Sequence, residues 1–178
     1  MAICSACVLH FNHAHGVQEN IYLKFSSDDA WNKGLFIDSR NLKVKTRESI
    51  RAYDVKTPGP DAKAGTLSGG NQQKLVLARE MRLATRLLIL NQPTRGLDLG
   101  AINNIHETVL DARKKGLSIL LVSTELSEIF ALSDRIAIMY KGRFMGIYDP
   151  ETLDQGRIGL LMAGIIPENT RKAGADHA

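Results

Sequence analysis

A glycine pair that opens directly into a helical pattern is the feature that most constrains this 178-residue chain. The sequence TLSGGNQQK at residues 66–74 continues into the apolar pattern LVLARE. Ser68 is suited to cap the helix, while Gly69 and Gly70 carry no Cβ that would keep a ligand away from the backbone. Because the first N–H groups of a helix attract anions, this point predicts contact with a phosphate group.

The chain lacks the loop that normally encloses a nucleotide phosphate. No G-x-x-x-x-G-K-[ST] sequence occurs in it, and the nearest approach, from Gly65 to Gly70, continues with Asn71 and Gln72 instead of Gly and Lys. We therefore expect the chain to touch a phosphate without being able to enclose one by itself.

Four further stretches follow in a fixed order: RLLILNQPT at 86–94, RGLD at 95–98, ILLVSTEL at 119–126 and LSDRIAIMYKGR at 132–143. Together with LSGGN, they resemble the signature, Walker B, D-loop, switch strand and following strand pair of the ATP-binding-cassette (ABC) ATPases. The resemblance covers residues 16–164 and is strongest over 66–143. SGGNQQK and QPTRGLD resemble the simple-sugar and nucleoside uptake type, and the chain resembles the C-terminal part of that type's second cassette.

The resemblance implies an α/β fold: a partial P-loop NTPase that lacks the Walker A half, with a parallel sheet, flanking helices and a small helical subdomain. The expected organisation is a non-matching, flexible start at 1–15, a helical subdomain at 16–70, the C-terminal part of the ATP-binding core at 71–164 and a flexible tail at 165–178. On this basis the chain is expected to be the C-terminal part of something larger.

Residue patterns support this organisation. The apolar runs Leu87–Leu90 and Ser118–Val122 predict two buried parallel strands. The resemblance implies a helix after Gly16, with Ile21 and Leu23 facing inward, and a helical pattern is predicted over Asp38–Tyr53. Residues 26–36 predict a loop, 102–116 an amphipathic helix that ends in basic residues and glycine, 126–130 a short helix, and 135–148 a hairpin that completes the sheet with an antiparallel edge.

The residues at the Walker B position predict a defective ATPase. The family's Asp-Glu pair is replaced by Asn91 and Gln92, so neither side chain offers Mg²⁺ an anionic oxygen or accepts a proton at neutral pH. The switch histidine falls at Thr124, whose hydroxyl carries no charge. We predict no intact catalytic residue and no ATP hydrolysis by the chain alone, although a strand-ending turn also explains Asn91 and Gln92.

The signature residues remain intact, and the family resemblance implies that they serve a nucleotide bound by an opposite cassette. The resemblance assigns cofactor contacts to Ser68, Gly69, Gly70, Asn71 and Asp98, with ATP and Mg²⁺ shared with that partner cassette. Asp98 is also suited to start the following helix.

The resemblance further implies transmembrane permease subunits as partners, an extracytoplasmic solute-binding protein as an indirect one, and a cytoplasmic location on the inner membrane face. The basic residues are spread among acids and lack interleaved aromatics, so we predict a solvated surface and no nucleic-acid partner. Cys4, Cys7, His10, His13 and His15 crowd into the first fifteen residues, which favours a flexible start over a zinc site.

Two alternatives to an importer subunit stay open. In the first, the chain is a nonenzymatic interaction fragment that pairs with another cassette. In the second, it is a truncated product without independent function, because a sheet without its first strands leaves edges uncovered.

Overall fold

The computed structural model describes residues 2–5, 11–23, 32–33, 36–84 and 86–166, which form two compact units divided between Ser123 and Thr124. The first unit contains β1 (Ala2–Ser5), α1 (Val17–Tyr22), β2 (Asn32–Lys33), β3 (Phe36–Ile37), α2 (Ser39–Ala52), a 3₁₀ turn (Ala64–Thr66), α3 (Gly69–Leu83), β4 (Leu87–Asn91), α4 (Leu99–Lys114) and β5 (Ser118–Val122). The second contains α5 (Leu126–Leu132), β6 (Ile136–Tyr140), β7 (Arg143–Tyr148), a 3₁₀ turn (Pro150–Thr152) and α6 (Gln155–Met162).

A three-stranded parallel sheet in the order β1-β4-β5 supports the first unit. Its middle strand, β4, matches the predicted strand, and its Leu88 and Leu90 side chains are fully buried. The register places Asn91 opposite both Ser5 and Val122, so the carboxyl end of β4 is hydrogen-bonded into the sheet from two sides.

The edge strands of this sheet show two features that the sequence did not predict. Ala2–Ser5 pair with β4, whose backbone groups would otherwise form an open edge. The flexibility predicted for residues 1–15 stays a prediction. The predicted strand Ser118–Val122 forms, but it is not buried: it is the edge strand β5, and Leu120 and Val122 are about half exposed. An apolar run identifies a strand without showing how many of its faces are covered.

Helix α3 lies at the centre of the first unit. All seven residues from Lys74 to Glu80 are buried, because α3 contacts α1, α2, α4 and β1. A helix that is covered on every side must pair the polar groups that it buries. Arg79 does so through its Nε, 3.0 Å from Glu80 Oε1, and its Nη1, 3.2 Å from the carbonyl oxygen of Asn20.

Helices α1 and α2 pack beside α3 around a core to which Ile21, Leu42 and Leu75 belong. The predicted helix over residues 38–53 is confirmed, and Asp38 caps it by accepting from Asn41 N at 3.2 Å. Leu23 does not face inward as predicted, because α1 ends at Tyr22 and Leu23 is 44% exposed.

Part of the loop predicted over 26–36 is instead a hairpin. The short strands β2 and β3 pair antiparallel at Asn32–Ile37 and Lys33–Phe36, and residues 26–31 and 34–35 lie outside the described part of the chain. Strands of two residues are too short to show alternation in a sequence.

The second unit is built on the β6–β7 hairpin, which is confirmed. It forms a two-stranded sheet of its own, instead of completing the parallel sheet as predicted, because β6 and β7 pair only with each other among the described strands. Ile136, Ile138, Ile158 and Leu161 form its core together with Leu153. The segment 165–178, which was predicted to be flexible, lies almost wholly outside the described residues, which end at 166.

Candidate functional site

The start of α3 has the geometry of a capped helix N-terminus. Ser68 adopts an extended backbone conformation, and its Oγ accepts from Asn71 N at 3.4 Å, while its carbonyl oxygen accepts from Gln72 N at 2.9 Å. The helix itself leaves the N–H groups of Gly69 and Gly70 without intrahelical partners. Ser68 and Gly69 are exposed, so this terminus fits a phosphate group in chemistry and access.

The two glycines of this terminus have different environments. Gly70 is buried, and a Cβ on it would lie 2.8 Å from the Cβ of Ala101 in α4. A Cβ on Gly69 would meet only Leu97 Cδ2 within 4 Å, at 3.7 Å. The sequence suggests a ligand-related reason for both glycines, but the close approach of α3 to α4 is sufficient to require glycine at position 70.

The loop that follows α2 and contains Asp54 and Lys56 is attached to the first two turns of α3. Asn71 Oδ1 accepts from Lys56 N at 2.7 Å, and Asn71 Nδ2 donates to Ser68 Oγ at 2.8 Å. One turn later, the buried Lys74 donates to the carbonyl oxygen of Asp54 at 3.1 Å and lies 3.5 Å from its carboxylate.

The loop is closed by a contact between Lys56 Nζ and Asp54 Oδ1 at 2.6 Å. The hydrogen bond from Lys56, supported by the charges of Lys56 and Lys74, lowers the pKa of the Asp54 carboxyl below its usual value. Asp54, Lys56 and Lys74 are the site-supporting residues that the sequence did not reveal. Their contacts join positions up to 20 apart that no local pattern links.

Asp98 is the N-cap of α4, as its position predicts. Its Oδ1 accepts from Ala101 N at 2.9 Å. Its other oxygen, Oδ2, lies 3.9 Å from where a Cβ on Gly70 would be. The structure thus brings Asp98 beside the signature glycines, and its contact with a partner cassette stays a prediction.

Asn91 and Gln92 lie at the carboxyl end of β4. Gln92 has a left-handed backbone, with φ +52°, and its N–H donates to the carbonyl oxygen of Val122 at 2.8 Å. The chain then turns, and two backbone hydrogen bonds stabilise the turn. Arg95 N donates to the carbonyl oxygen of Gln92 at 3.3 Å, and Leu97 N donates to that of Thr94 at 3.2 Å. The strand-ending turn that the sequence allows is therefore present.

The donor set at this strand end does not fit a tightly held magnesium ion. Mg²⁺ is bound in proteins through one or two carboxylates, and Asn91 and Gln92 provide neutral amides. Thr124, the residue predicted to replace the switch histidine, is the first residue of the second unit and is exposed. No group of three or more potential metal-binding side chains occurs among the described residues, and Cys7 and His10 lie outside them.

A groove of about 180 Å³ lies in the first unit between the end of α2, α3 and α4. Three carboxylates line it, those of Asp54, Glu107 and Asp111, together with the buried Lys74. Burial raises the pKa of Tyr53, which also lines the groove, while the charge of Arg82 opposes that shift. A surface rich in carboxylates repels phosphate, so the signature terminus, and not this groove, is the candidate nucleotide contact.

Several known proteins that are similar to this chain are described as import ATP-binding proteins. Over 148 residues it is 43% identical to the nucleoside import ATP-binding protein NupA of Lactococcus lactis subsp. cremoris, covering 83% of this chain and 29% of that protein. It is 40% identical over 167 residues to the guanosine import ATP-binding protein NupO of Bacillus subtilis, covering 90% and 33%, and 37% identical over 153 residues to the ribose import ATP-binding protein RbsA of Lacticaseibacillus paracasei, covering 86% and 30%. The chain belongs to the ABC transporter ATP-binding proteins of the sugar and nucleoside type. No protein-family model matches it.

Solved structures confirm the cassette fold. An inward-facing conformation of a metal-chelate type ABC transporter superposes with a TM-score of 0.73 at 16% identity, covering 92% of this chain and 64% of that one. An ATP-binding cassette in a dimeric post-hydrolysis state, bound to ADP and phosphate, gives a TM-score of 0.67 at 18% identity, covering 85% and 64%. These neighbours confirm the α/β, partial P-loop NTPase fold of this ABC chain.

This ABC chain spans about a third of the length of the curated relatives that it matches. Within the described residues, no helix has both the length and the apolar character needed to cross a bilayer.

Proposed function

We propose that this chain supplies the signature motif of a composite ATP site, in which the nucleotide is held by another cassette. The observation that carries the proposal is an intact and capped signature terminus at Ser68–Gly70, exposed at Ser68 and Gly69, in a sequence that contains no phosphate loop. Ser68, Gly69, Gly70, Asn71 and Asp98 form the region that faces the partner's nucleotide. A terminus of this kind attracts a phosphate presented to it but does not surround one.

The contribution of the chain's own Walker B region is structural in this proposal. Asn91 and Gln92 keep the strand-end geometry without the charges that hold Mg²⁺ and accept a proton, and Thr124 stands at the switch position. ATP and Mg²⁺ therefore belong to a site shared with the partner cassette. The chain does not hydrolyse ATP alone.

The biological setting that we propose is import of simple sugars or nucleosides. Relatives named as nucleoside, guanosine and ribose import ATP-binding proteins support this setting. The chain works on the cytoplasmic face of the membrane as the C-terminal part of a second cassette. Its partners are a cassette, transmembrane permease subunits and, indirectly, an extracytoplasmic solute-binding protein. The dimeric state of one structural neighbour supports the pairing of cassettes.

The signature assignment is tested by complementation. The full chain is mixed with a separately purified cassette that carries a phosphate loop but has its own signature disabled, and ATP turnover is measured. We expect wild-type chain to raise turnover, and Ser68→Ala to lower that gain by about tenfold or more, because it removes a hydrogen bond to a charged oxygen. Ser127→Ala, at an exposed serine in α5, is the matched control. Equal stimulation by the wild type and Ser68→Ala would contradict the proposal.

The degenerate half-site is tested in the full-length transporter that contains this chain. Replacing Asn91 by Asp and Gln92 by Glu restores an anionic ligand and a proton acceptor, so turnover is expected to rise by about a hundredfold at this half-site. If the unmodified site already hydrolyses ATP at the rate of the double variant, this part of the proposal is contradicted.

A further inference from the structure

The side chain of Asn71 is engaged on both of its polar atoms, which separates its role from that of a ligand contact. Its Oδ1 accepts from Lys56 N at 2.7 Å, and its Nδ2 donates to Ser68 Oγ at 2.8 Å. A backbone N–H can only donate, so the amide oxygen must face Lys56. That requirement places the NH₂ group against the serine hydroxyl.

The direction of the second hydrogen bond determines what Ser68 can offer. Its Oγ accepts from Asn71 Nδ2 and, more weakly, from Asn71 N at 3.4 Å. A hydroxyl has two acceptor positions and one proton. Both contacts use the acceptor side and neither uses the proton, so the Ser68 hydroxyl is left to donate outward from an exposed position.

The position of Asn71 depends in turn on the loop that precedes the signature. Lys74 holds the Asp54 end of this loop through the carbonyl oxygen at 3.1 Å and the carboxylate at 3.5 Å, and Lys56 joins the same carboxylate. The loop therefore contacts α3 at its first turn through Asn71 and at its second through Lys74. These contacts fix where the Lys56 N–H stands, and with it the orientation of the Asn71 amide.

We infer that Asn71 is a positioning residue that makes Ser68 a hydrogen-bond donor toward an anionic phosphate oxygen. This inference rests on the proposed function, and it replaces direct cofactor binding as the role of Asn71. The chemistry is specific to an amide: an aspartate at this position still accepts from Lys56 N but cannot donate to Ser68. The serine proton would then turn inward to the new carboxylate.

Asn71→Asp is the decisive variant, measured in the complementation assay as the apparent affinity for ATP. We expect a loss of about tenfold or more. An added negative charge near phosphate also weakens binding, so the comparison is repeated in a Ser68→Ala background. If Asn71 acts through the hydroxyl, the loss shrinks towards none there, whereas a charge effect persists.

Hydrogen exchange of the Lys56 amide in the full chain reports on the fold of each variant. Protection of this amide is expected to survive in Asn71→Asp, which keeps the acceptor, and to fall in Asn71→Ala. An Asn71→Asp chain with wild-type ATP affinity, or with the same loss in both backgrounds, overturns the inference. If Ser68→Ala has no effect, the proposed function itself fails, and the inference fails with it.

Discussion

The start of α3 and the carboxyl end of β4 are held in place in different ways. The first turns of α3 are fixed by contacts that its own residues make with other elements: Gly70 packs on Ala101, the Asn71 side chain accepts from the Lys56 N–H, and the Lys74 side chain donates to the Asp54 carbonyl oxygen. The end of β4 is fixed by its backbone, since Asn91 is paired on both sides.

This difference shows at which of the two places side chains can be exchanged without disturbing the local backbone. A site held by side chains is sensitive to the identity of each of those side chains. A site held by a backbone ladder keeps its hydrogen-bonded backbone geometry when its side chains are exchanged. In the proposed function, the signature region keeps the residues of the family motif, while the Walker B position has amides in place of carboxylates on a strand that is in register with both neighbours.

The strand region should be most sensitive at its buried apolar side chains. Leu88 is fully buried in β4, and Leu88→Ala is expected to reduce the free energy of unfolding by about 2–5 kcal/mol. Leu120→Ala, in the edge strand β5 at 52% exposure, is the matched control and should cost much less. Urea unfolding of both variants measures the difference, and similar losses would show that β5 is covered as fully as β4.

The side-chain-held region should respond to a single added methyl group. Gly70→Ala places a Cβ 2.8 Å from Ala101 Cβ, and overpacking of this kind costs about 1–3 kcal/mol of unfolding free energy. Gly69→Ala, where the nearest atom is Leu97 Cδ2 at 3.7 Å, should be neutral or stabilising by about 0.5 kcal/mol. If the two alanines have equal effects in thermal unfolding, the contact between α3 and α4 does not require the glycine.

A smaller effect is expected from the loop that attaches to α3. The hydrogen bond from Lys56 lowers the pKa of Asp54 below 3.8 in the folded state, so this carboxylate adds stability above that pH. The contribution is lost as the pH falls through the lowered pKa. The melting temperatures of wild type and Asp54→Asn should differ by a constant amount above about pH 5 and converge below 3.8. A difference that grows on acidification would contradict the assigned sign.

The smallest effect on stability is expected where the effect on turnover is largest. Asn91→Asp with Gln92→Glu should change the free energy of unfolding by less than about 1 kcal/mol, because the backbone ladder is unchanged and both residues are only partly buried. Chemical denaturation of the double variant measures this. A large loss would show that the amides themselves stabilise the strand end.

The sequence predicted elements better than it predicted their surroundings. Strand Leu87–Asn91, the cap at Asp98 and the hairpin of β6 and β7 follow from local patterns of apolar spacing, capping and turn residues. The exposure of β5 depends on what lies beside it, which no local pattern contains. The same limit applies to the site: Ser68 was visible as a cap, whereas the contact of Gly70 with Ala101 arises only when α3 and α4 pack.

The left-handed backbone at Gln92 has a consequence for how this half-site can change over generations. Position 92 excludes β-branched residues, which adopt positive φ at a high cost, but accepts long polar ones. In the genetic code, glutamine and glutamate differ by a single base, and so do asparagine and aspartate. A lineage can therefore move between the amide and acid forms of this strand end by point mutation, without rebuilding the turn that holds them.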